Sequence, residues 1–194
     1  MALVILDRDG VINQDSDAFI KSLDEWIPLA GSIDAIARLS QGGFTVAVAT
    51  NQSGLGRGLF SRAELDAMHG RLNELVAAAG GRIAGIYYCP HTPDDGCNCR
   101  KPLPGLLDAI ARDLSADLGT AAMVGDSLRD LEAGLARGCR PLLVRTGKGA
   151  ATEARLRADN APLLDSLKIF DSLSDCADYL LEYGICSNAG SNRP

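Results

Sequence analysis

Five short clusters bring together residue types that can do chemistry. The first is Asp7-Arg8-Asp9-Gly10, where two carboxylates follow the aliphatic run Ala2 to Leu6. Such a pair can divide labour, one carboxylate attacking and the other moving protons. The same four residues also suit a solvated turn, since Asp and Gly favour turns. The second cluster, Gly125-Asp126-Ser127, follows Met123-Val124, with Asp130 one helical turn on. Asp126 can join Asp7 in holding Mg²⁺, which takes carboxylate and carbonyl oxygens and keeps several waters. It can equally cap a helix starting near Ser127, and Asp130 suits the positive end of that helix. The third, Thr50-Asn51-Gln52-Ser53-Gly54, offers a hydroxyl, an amide and turn N–H groups to phosphoryl oxygens, or is a loop built for its turn propensity. The fourth is Arg100-Lys101-Pro102, in which Lys101 suits a point-charge contact to a phosphoryl group and Arg100 a forked one.

The fifth cluster is Cys89-Pro90-His91, five residues, then Cys97-Asn98-Cys99. Three thiolates and one imidazole complete a closed tetrahedral zinc set with no open position for catalysis. Structural Zn²⁺ there would stiffen the loop 89–101 and place Arg100 and Lys101; the alternative is three reduced thiols in a flexible loop. Cys139, Cys176 and Cys186 stand alone and read as buried or incidental thiols. His69 falls inside a helical segment, away from any strand end, and reads as a surface or packing residue; Trp26 and Tyr87-Tyr88 read as packing.

These clusters must be held by regular elements, and the chain supplies them in alternation. Aliphatic runs at 2–6, 44–49, 83–88, 121–124, 141–144 and 168–170 have no polar alternation, as in parallel strands covered on both faces. Helix-like segments lie between them: around Ile33 to Leu39, from the capping box Ser61-Arg62-Ala63-Glu64 towards Gly80, from Pro104 or Gly105, over 127–137 and over 173–183. Strand then helix, repeated, predicts an α/β fold: a doubly wound, mainly parallel sheet with helices on both faces. Ligands of such sheets bind beyond the carboxyl ends of the strands, where Asp7, Thr50, Asn51 and Asp126 are all expected. The spacing from Asp7 to Thr50 leaves no room for a folded cap domain.

Composition narrows the functional classes. A chain of 194 residues predicts one domain, taken as 1–186, with a small, polar, disordered tail at 187–194. Nineteen basic against twenty-five acidic side chains, net charge −6, argue against a nucleic-acid groove or a polybasic membrane patch. No apolar run approaches the ~20 residues of a membrane span, and the N-terminus does not read as a signal peptide. The expectation is a cytoplasmic monomer with a small-molecule partner, no nucleic acid and no membrane.

The ordered set DRDG at 7–10, TNQ at 50–52, Lys101 and GDSLRD at 125–130 resembles the four signature elements of the haloacid dehalogenase superfamily of phosphatases, over about residues 3–147. The cysteine loop is similar to that of its zinc-loop branch, which contains heptose 1,7-bisphosphate phosphatases and histidinol-phosphate phosphatase domains. The resemblance implies a Rossmann-like fold and an Mg²⁺-dependent phosphomonoesterase. Asp7 would be the nucleophile, forming an aspartyl-phosphate, and Asp9 would protonate the leaving oxygen and later deprotonate water. Asp7, the Asp9 carbonyl and Asp126 would hold Mg²⁺, Thr50, Asn51 and Lys101 would stabilise the transferring group, and Cys89, His91, Cys97 and Cys99 would hold Zn²⁺. The stretch Ser53 to Gly58 resembles the substrate loop of the heptose enzymes, with Ser53 and Arg57 as substrate contacts; the histidinol enzymes tend to have an acidic residue at the Ser53 position and lack the arginine. Arg57, Arg100 and Lys148 would serve a second phosphate, although Arg57 and Lys148 also read as solvated surface charges. Ser127 departs from relatives that place a lysine there. The preferred expectation is hydrolysis of the heptose 7-phosphate, which feeds nucleotide-heptose and lipopolysaccharide core synthesis. Histidinol-phosphate hydrolysis and an inactive binding scaffold are the rivals.

Overall fold

In the computed structural model, which describes residues 2–185, the aliphatic runs become six strands: β1 (Leu3–Leu6), β2 (Thr45–Asn51), β3 (Gly85–Cys89), β4 (Ala122–Gly125), β5 (Arg140–Val144) and β6 (Lys168–Phe170). The helices are α1 (Ser32–Gln41), α2 (Ser53–Gly56), α3 (Arg62–Ala78), α4 (Gly105–Leu114), α5 (Leu128–Leu135), α6 (Gly149–Ala158) and α7 (Leu173–Tyr183). Cys186 and the tail 187–194 lie outside the described residues. The strands form one sheet in the order β3-β2-β1-β4-β5-β6, with every neighbouring pair parallel.

Burial on both faces explains the unbroken aliphatic runs. Val4 and Leu6 of β1 enter a core with Ile36 and Leu39 of α1, Met68 and Leu72 of α3, and Leu180 of α7. Leu3 and Ile5 enter the opposite core with Leu106, Leu107 and Ile110 of α4. Parallel neighbours cannot be joined by tight turns, so each crossover is carried by a helix. The Ser61–Glu64 capping box forms as expected: Glu64 N–H donates to Ser61 Oγ at 3.2 Å, and Ser61 N–H to Glu64 Oε2 at 2.5 Å. Helix α6 has no counterpart in the sequence expectation. It buries only Gly149 and Leu156, so it carries no apolar stripe that periodicity could detect.

Strand order is what positions the site. The chain winds from β1 out to β3, then returns to place β4 on the other side of β1. Ligands bind at such a switch point, and Asp7 and Asp126 stand just beyond these two strands. Residues 7–31 form a loop with isolated bridges at Asp9–Asn13 and Asn13–Pro28, and among the described residues no cap domain stands over the crevice. Among the described residues no helix is long and apolar enough to cross a membrane.

Central-strand burial carries a stability cost. Ile5 is fully buried and pairs with both Ala47 and Met123. Ile5→Ala is expected to destabilise the protein by about 2–5 kcal/mol, measured as a lower urea midpoint at unchanged m-value.

Candidate active site and metal loop

Lys101 forms the floor of the crevice. It is 1% exposed, and its Nζ meets Asp7 Oδ1 at 2.8 Å, Asp130 Oδ1 at 2.7 Å and the Ala49 carbonyl at 2.6 Å. Those three acceptors match the ammonium's three donors. Burial alone would lower its pKa, but the Asp130 and Asp7 carboxylates hold it above the usual lysine value. Asn51 secures the lysine from behind: Lys101 N–H donates to Asn51 Oδ1 and Asn51 Nδ2 to the Lys101 carbonyl, both at 3.0 Å. The amide therefore places Lys101, where the sequence suggested direct contact with a phosphoryl group. Thr50 is buried at the same strand end, and its hydroxyl accepts from Gln52 Nε2 at 2.9 Å.

Asp126 stands opposite Asp7. The Asp7 N–H donates to the Val124 carbonyl at 2.9 Å, which holds the end of β1 against β4. Asp126 Oδ2 accepts from the Lys148 N–H at 2.8 Å. A Cβ on Gly10 or Gly147 would lie 2.1 or 2.2 Å from that oxygen, and both glycines have positive φ. Close approach to Asp126 and left-handed backbone together call for glycine in DRDG. Capping of α5 falls to other residues. Asp130 Oδ2 accepts from Ser127 N–H at 3.0 Å and from Ser127 Oγ at 2.6 Å, so Asp126 is left to face the crevice.

The carboxylates of Asp7, Asp126 and Asp130 present oxygens within 4.8 Å of one another. Three carboxylates against one ammonium leave two negative charges uncompensated if all ionise. Accordingly burial, and then Asp130, push Asp7 up to about 8 against the pull of Lys101, and burial with Asp130 pushes Asp126 up to about 7. Asp7 Oδ2 and Asp126 Oδ1 accept no hydrogen bond among the described residues. Two open, mutually repelling oxygens fit a hard divalent cation such as Mg²⁺. Asp130 is already saturated by Lys101 and Ser127, so it supports such a site from outside.

Asp9 is turned towards protein groups. Its Oδ1 accepts from Arg8 Nη2 at 2.8 Å and Asn13 Nδ2 at 2.9 Å, and its Oδ2 from Gln52 Nε2 at 2.9 Å. Burial would raise its pKa, but Arg8 and the two amides hold it below the usual carboxylate range. Arg8 is fully buried, and its Nη1 lies 3.3 Å from His69 Nε2. A guanidinium can only donate, so Nε2 accepts and the ring is neutral. His69 is thus an interior residue one step from Asp9. Only its helical position, and not its partner, could be read from sequence, because Arg8 lies 61 residues away.

A cavity of about 290 Å³ opens above this floor, lined among others by Ser53, Arg57, Arg100, Arg129 and Lys148. Ser53 is buried at the start of α2, and Arg57 is exposed on the rim. Lys148 Nζ pairs with Asp15 and Asp17, each at 3.2 Å. Its ammonium thus ties two rim loops together at the cavity edge, Asp15 and Asp17 join the site unannounced by any motif, and Arg129 joins it from within GDSLRD.

The second candidate metal site gathers Cys89, His91, Cys97 and Cys99. Cys89 Sγ lies 3.6 Å from Cys97 Sγ and 3.2 Å from Cys99 Sγ, with His91 Nδ1 3.3 Å from Cys99 Sγ. A tetrahedral Zn²⁺ with Zn–S of about 2.3 Å requires ligand separations of about 3.7 Å, so the set is close to that geometry. Cys139 and Cys176 are buried singly, as expected.

Comparison with known proteins agrees with this architecture. The family model described as polynucleotide kinase 3 phosphatase matches residues 3–133, and a HAD-hydrolase-like model matches 98–173. The chain is 57% identical over 181 residues, 93% of its length and 98% of the relative's, to D-glycero-β-D-manno-heptose-1,7-bisphosphate 7-phosphatase of Pseudomonas aeruginosa. It is 53% identical to the enzyme of that name from Bordetella bronchiseptica, over 94% of this chain and 99% of the other. Among solved structures, a crystal structure of the B. bronchiseptica D,D-heptose 1,7-bisphosphate phosphatase complexed with magnesium and phosphate superposes with a TM-score of 0.88, covering 94% of this chain and 99% of that one. The Burkholderia thailandensis phosphatase, 44% identical, gives 0.71 over 93% and 99%.

The Arg8–His69 contact has a pH signature. Burial, and then the Arg8 charge, lower His69 to about 4. A folded pKa below the unfolded value of about 6.5 gives stability that is present above pH 6.5 and lost as pH falls through 4. His69→Gln, which keeps an acceptor for Arg8, is expected to lose less stability than the wild type between pH 6.5 and 4, by up to roughly 3 kcal/mol. Parallel denaturation curves for the two proteins would refute this.

Proposed function

The chain belongs to the haloacid dehalogenase-like hydrolases, in the family of the D-glycero-β-D-manno-heptose-1,7-bisphosphate 7-phosphatases, and on that premise we propose that it hydrolyses the 7-phosphate of this bisphosphate and leaves the 1-phosphate. The observation that carries the proposal is the pairing of Asp7 with Asp126 at adjacent strand ends, over the buried Lys101 ammonium and beneath a rim of arginines. The β configuration follows from the names of the relatives.

In this reading the Asp7 carboxylate attacks phosphorus. The P–O bond to the sugar breaks as an aspartyl-phosphate forms on Asp7, and the departing alkoxide takes a proton from Asp9. Asp9 rests ionised, so it first takes up that proton from solvent water, and the proton released by the second water restores the balance over one turnover. Returned to its carboxylate form, and held by Arg8, Asn13 and Gln52, it is set to accept the proton of the water that cleaves the acyl-phosphate, releasing phosphate and regenerating Asp7. Lys101 neutralises charge at the floor throughout, while Thr50 and Asn51 hold the strand end that supports it. When bound at Asp7, the Asp9 carbonyl and Asp126, Mg²⁺ supplies charge neutralisation for both the carboxylates and the phosphoryl oxygens.

Zn²⁺ at Cys89, His91, Cys97 and Cys99 has a placing role. The loop runs directly into Arg100 and Lys101, and Arg100 Nη1 donates back to the His91 carbonyl at 3.3 Å. Ser53 and Arg57 face the cavity from α2 and its end, where a phosphorylated sugar would extend. A substrate with one phosphate, such as histidinol phosphate, has no second anion for the rim arginines.

Phosphate release from the heptose bisphosphate and from histidinol phosphate should show a clear preference for the former, abolished by EDTA and restored by Mg²⁺. The reverse preference would keep the chemistry and overturn the substrate. Asp7→Asn should remain folded and fall to background turnover, and measurable turnover would remove Asp7 as nucleophile. A binding scaffold would show no Mg²⁺-dependent turnover in the wild type. Cys97→Ser is expected to lose bound zinc and melt at a lower temperature; unchanged metal content and unchanged melting together would eliminate the zinc assignment.

A further inference from the structure

Arg129 lies in the first turn of α5, two residues beyond Ser127. Most arginines of this chain rest on carboxylates, as Arg38, Arg62, Arg137 and Arg145 do. Arg129 and Arg57 differ: among the described residues neither guanidinium has an ion-pair or hydrogen-bond partner. The guanidinium of Arg100 donates to the His91 carbonyl at 3.3 Å and, among the described residues, has no carboxylate partner. Arg57, Arg100 and Arg129 all line the main cavity, so the three cations face a common space. Like charges gathered on one wall repel, and a planar guanidinium is suited to forked contact with a phosphate.

The cavities give the direction in which a ligand would extend. Arg100 and Arg129 line the main cavity above Asp7 and also an adjoining cavity of about 360 Å³ bounded by Pro93, Pro102 and Leu103. They therefore form the wall shared by these two cavities, while Lys148, which lines the main cavity and not the adjoining one, has its ammonium tied to Asp15 and Asp17.

We propose that Arg129 is a specificity-determining residue, gripping together with Arg57 and Arg100 the second phosphoryl group of a bisphosphorylated sugar while the first is held over Asp7. Arg129 then supplies the cationic contact that the tied ammonium of Lys148 does not. This rests on the bisphosphate reading of the site.

The test measures kcat/KM for heptose 1,7-bisphosphate and for heptose 7-phosphate, with Mg²⁺, in the wild type, Arg129→Ala and Arg129→Lys, with thermal melting as a check on folding. The wild type is expected to prefer the bisphosphate. In Arg129→Ala that preference should fall about tenfold, the value of one charge-assisted phosphate contact, with the loss carried by KM; Arg129→Lys should restore part of it. A wild type that prefers the bisphosphate, with an Arg129→Ala variant that keeps the full preference or loses both esters equally, would overturn the role of Arg129 alone. A wild type that treats the two esters alike would overturn both this role and the bisphosphate reading.

Discussion

The buried ammonium of Lys101 is the interaction on which the site depends. It joins three parts of the chain: Asp7 beyond β1, the Ala49 carbonyl within β2, and Asp130 on α5. A buried charge is tolerated only when it is paired and fully hydrogen-bonded, and all three donors of this one are used. Removing one member of such a set typically costs about 3–5 kcal/mol, because the remaining charges are left uncompensated. The lysine also leaves the floor short of positive charge, since Asp126 gains no ammonium of its own. That deficit makes the crevice ready for a divalent cation and, through it, for a phosphoryl group.

Placement of this lysine is shared between two devices. Asn51, at the end of β2, holds both the N–H and the carbonyl of Lys101. On the other side, the loop of Cys89, His91, Cys97 and Cys99 closes two residues before it, and the Gly105 N–H bonds back to the Asn98 carbonyl at 3.0 Å. The loop runs straight into Arg100 and Lys101, and Arg100 Nη1 donates back to its His91 carbonyl at 3.3 Å.

Charge is sorted by depth. Carboxylates occupy the floor, and arginines stand along one part of the rim, with the Lys148 ammonium pinned to Asp15 and Asp17 on another. A net charge of −6 conceals this arrangement, since an acidic total is compatible with a cationic rim a few ångströms across. Asp9 illustrates the same point within one motif. It sits two residues from Asp7, yet Arg8 and two amides hold its pKa down while burial and neighbouring carboxylates push that of Asp7 up. Two like side chains are shifted in opposite directions by their surroundings alone.

Much of this was legible in the amino-acid order. Aliphatic runs without polar alternation mark strands buried on both faces, and all six appear in the sheet; acidic, hydroxyl and amide residues at their carboxyl ends mark the crevice. Cys89, His91, Cys97 and Cys99 announce a metal loop by residue type and spacing, because few other uses bring four soft ligands so close. Helix α6 escaped because it buries too little to leave a periodic trace. What the tertiary structure decided is which way each side chain faces and what it meets: Asn51 on the Lys101 backbone, Arg8 on His69, Lys148 on Asp15 and Asp17, Arg129 beside Arg100. Those partners lie tens of residues or more apart along the chain and meet only through the sheet order and the loops it brings together. Local sequence sets a residue's chemistry and its place on an element, whereas a hydrogen bond or ion pair depends on distances of about 3 Å, and only the packed fold specifies those.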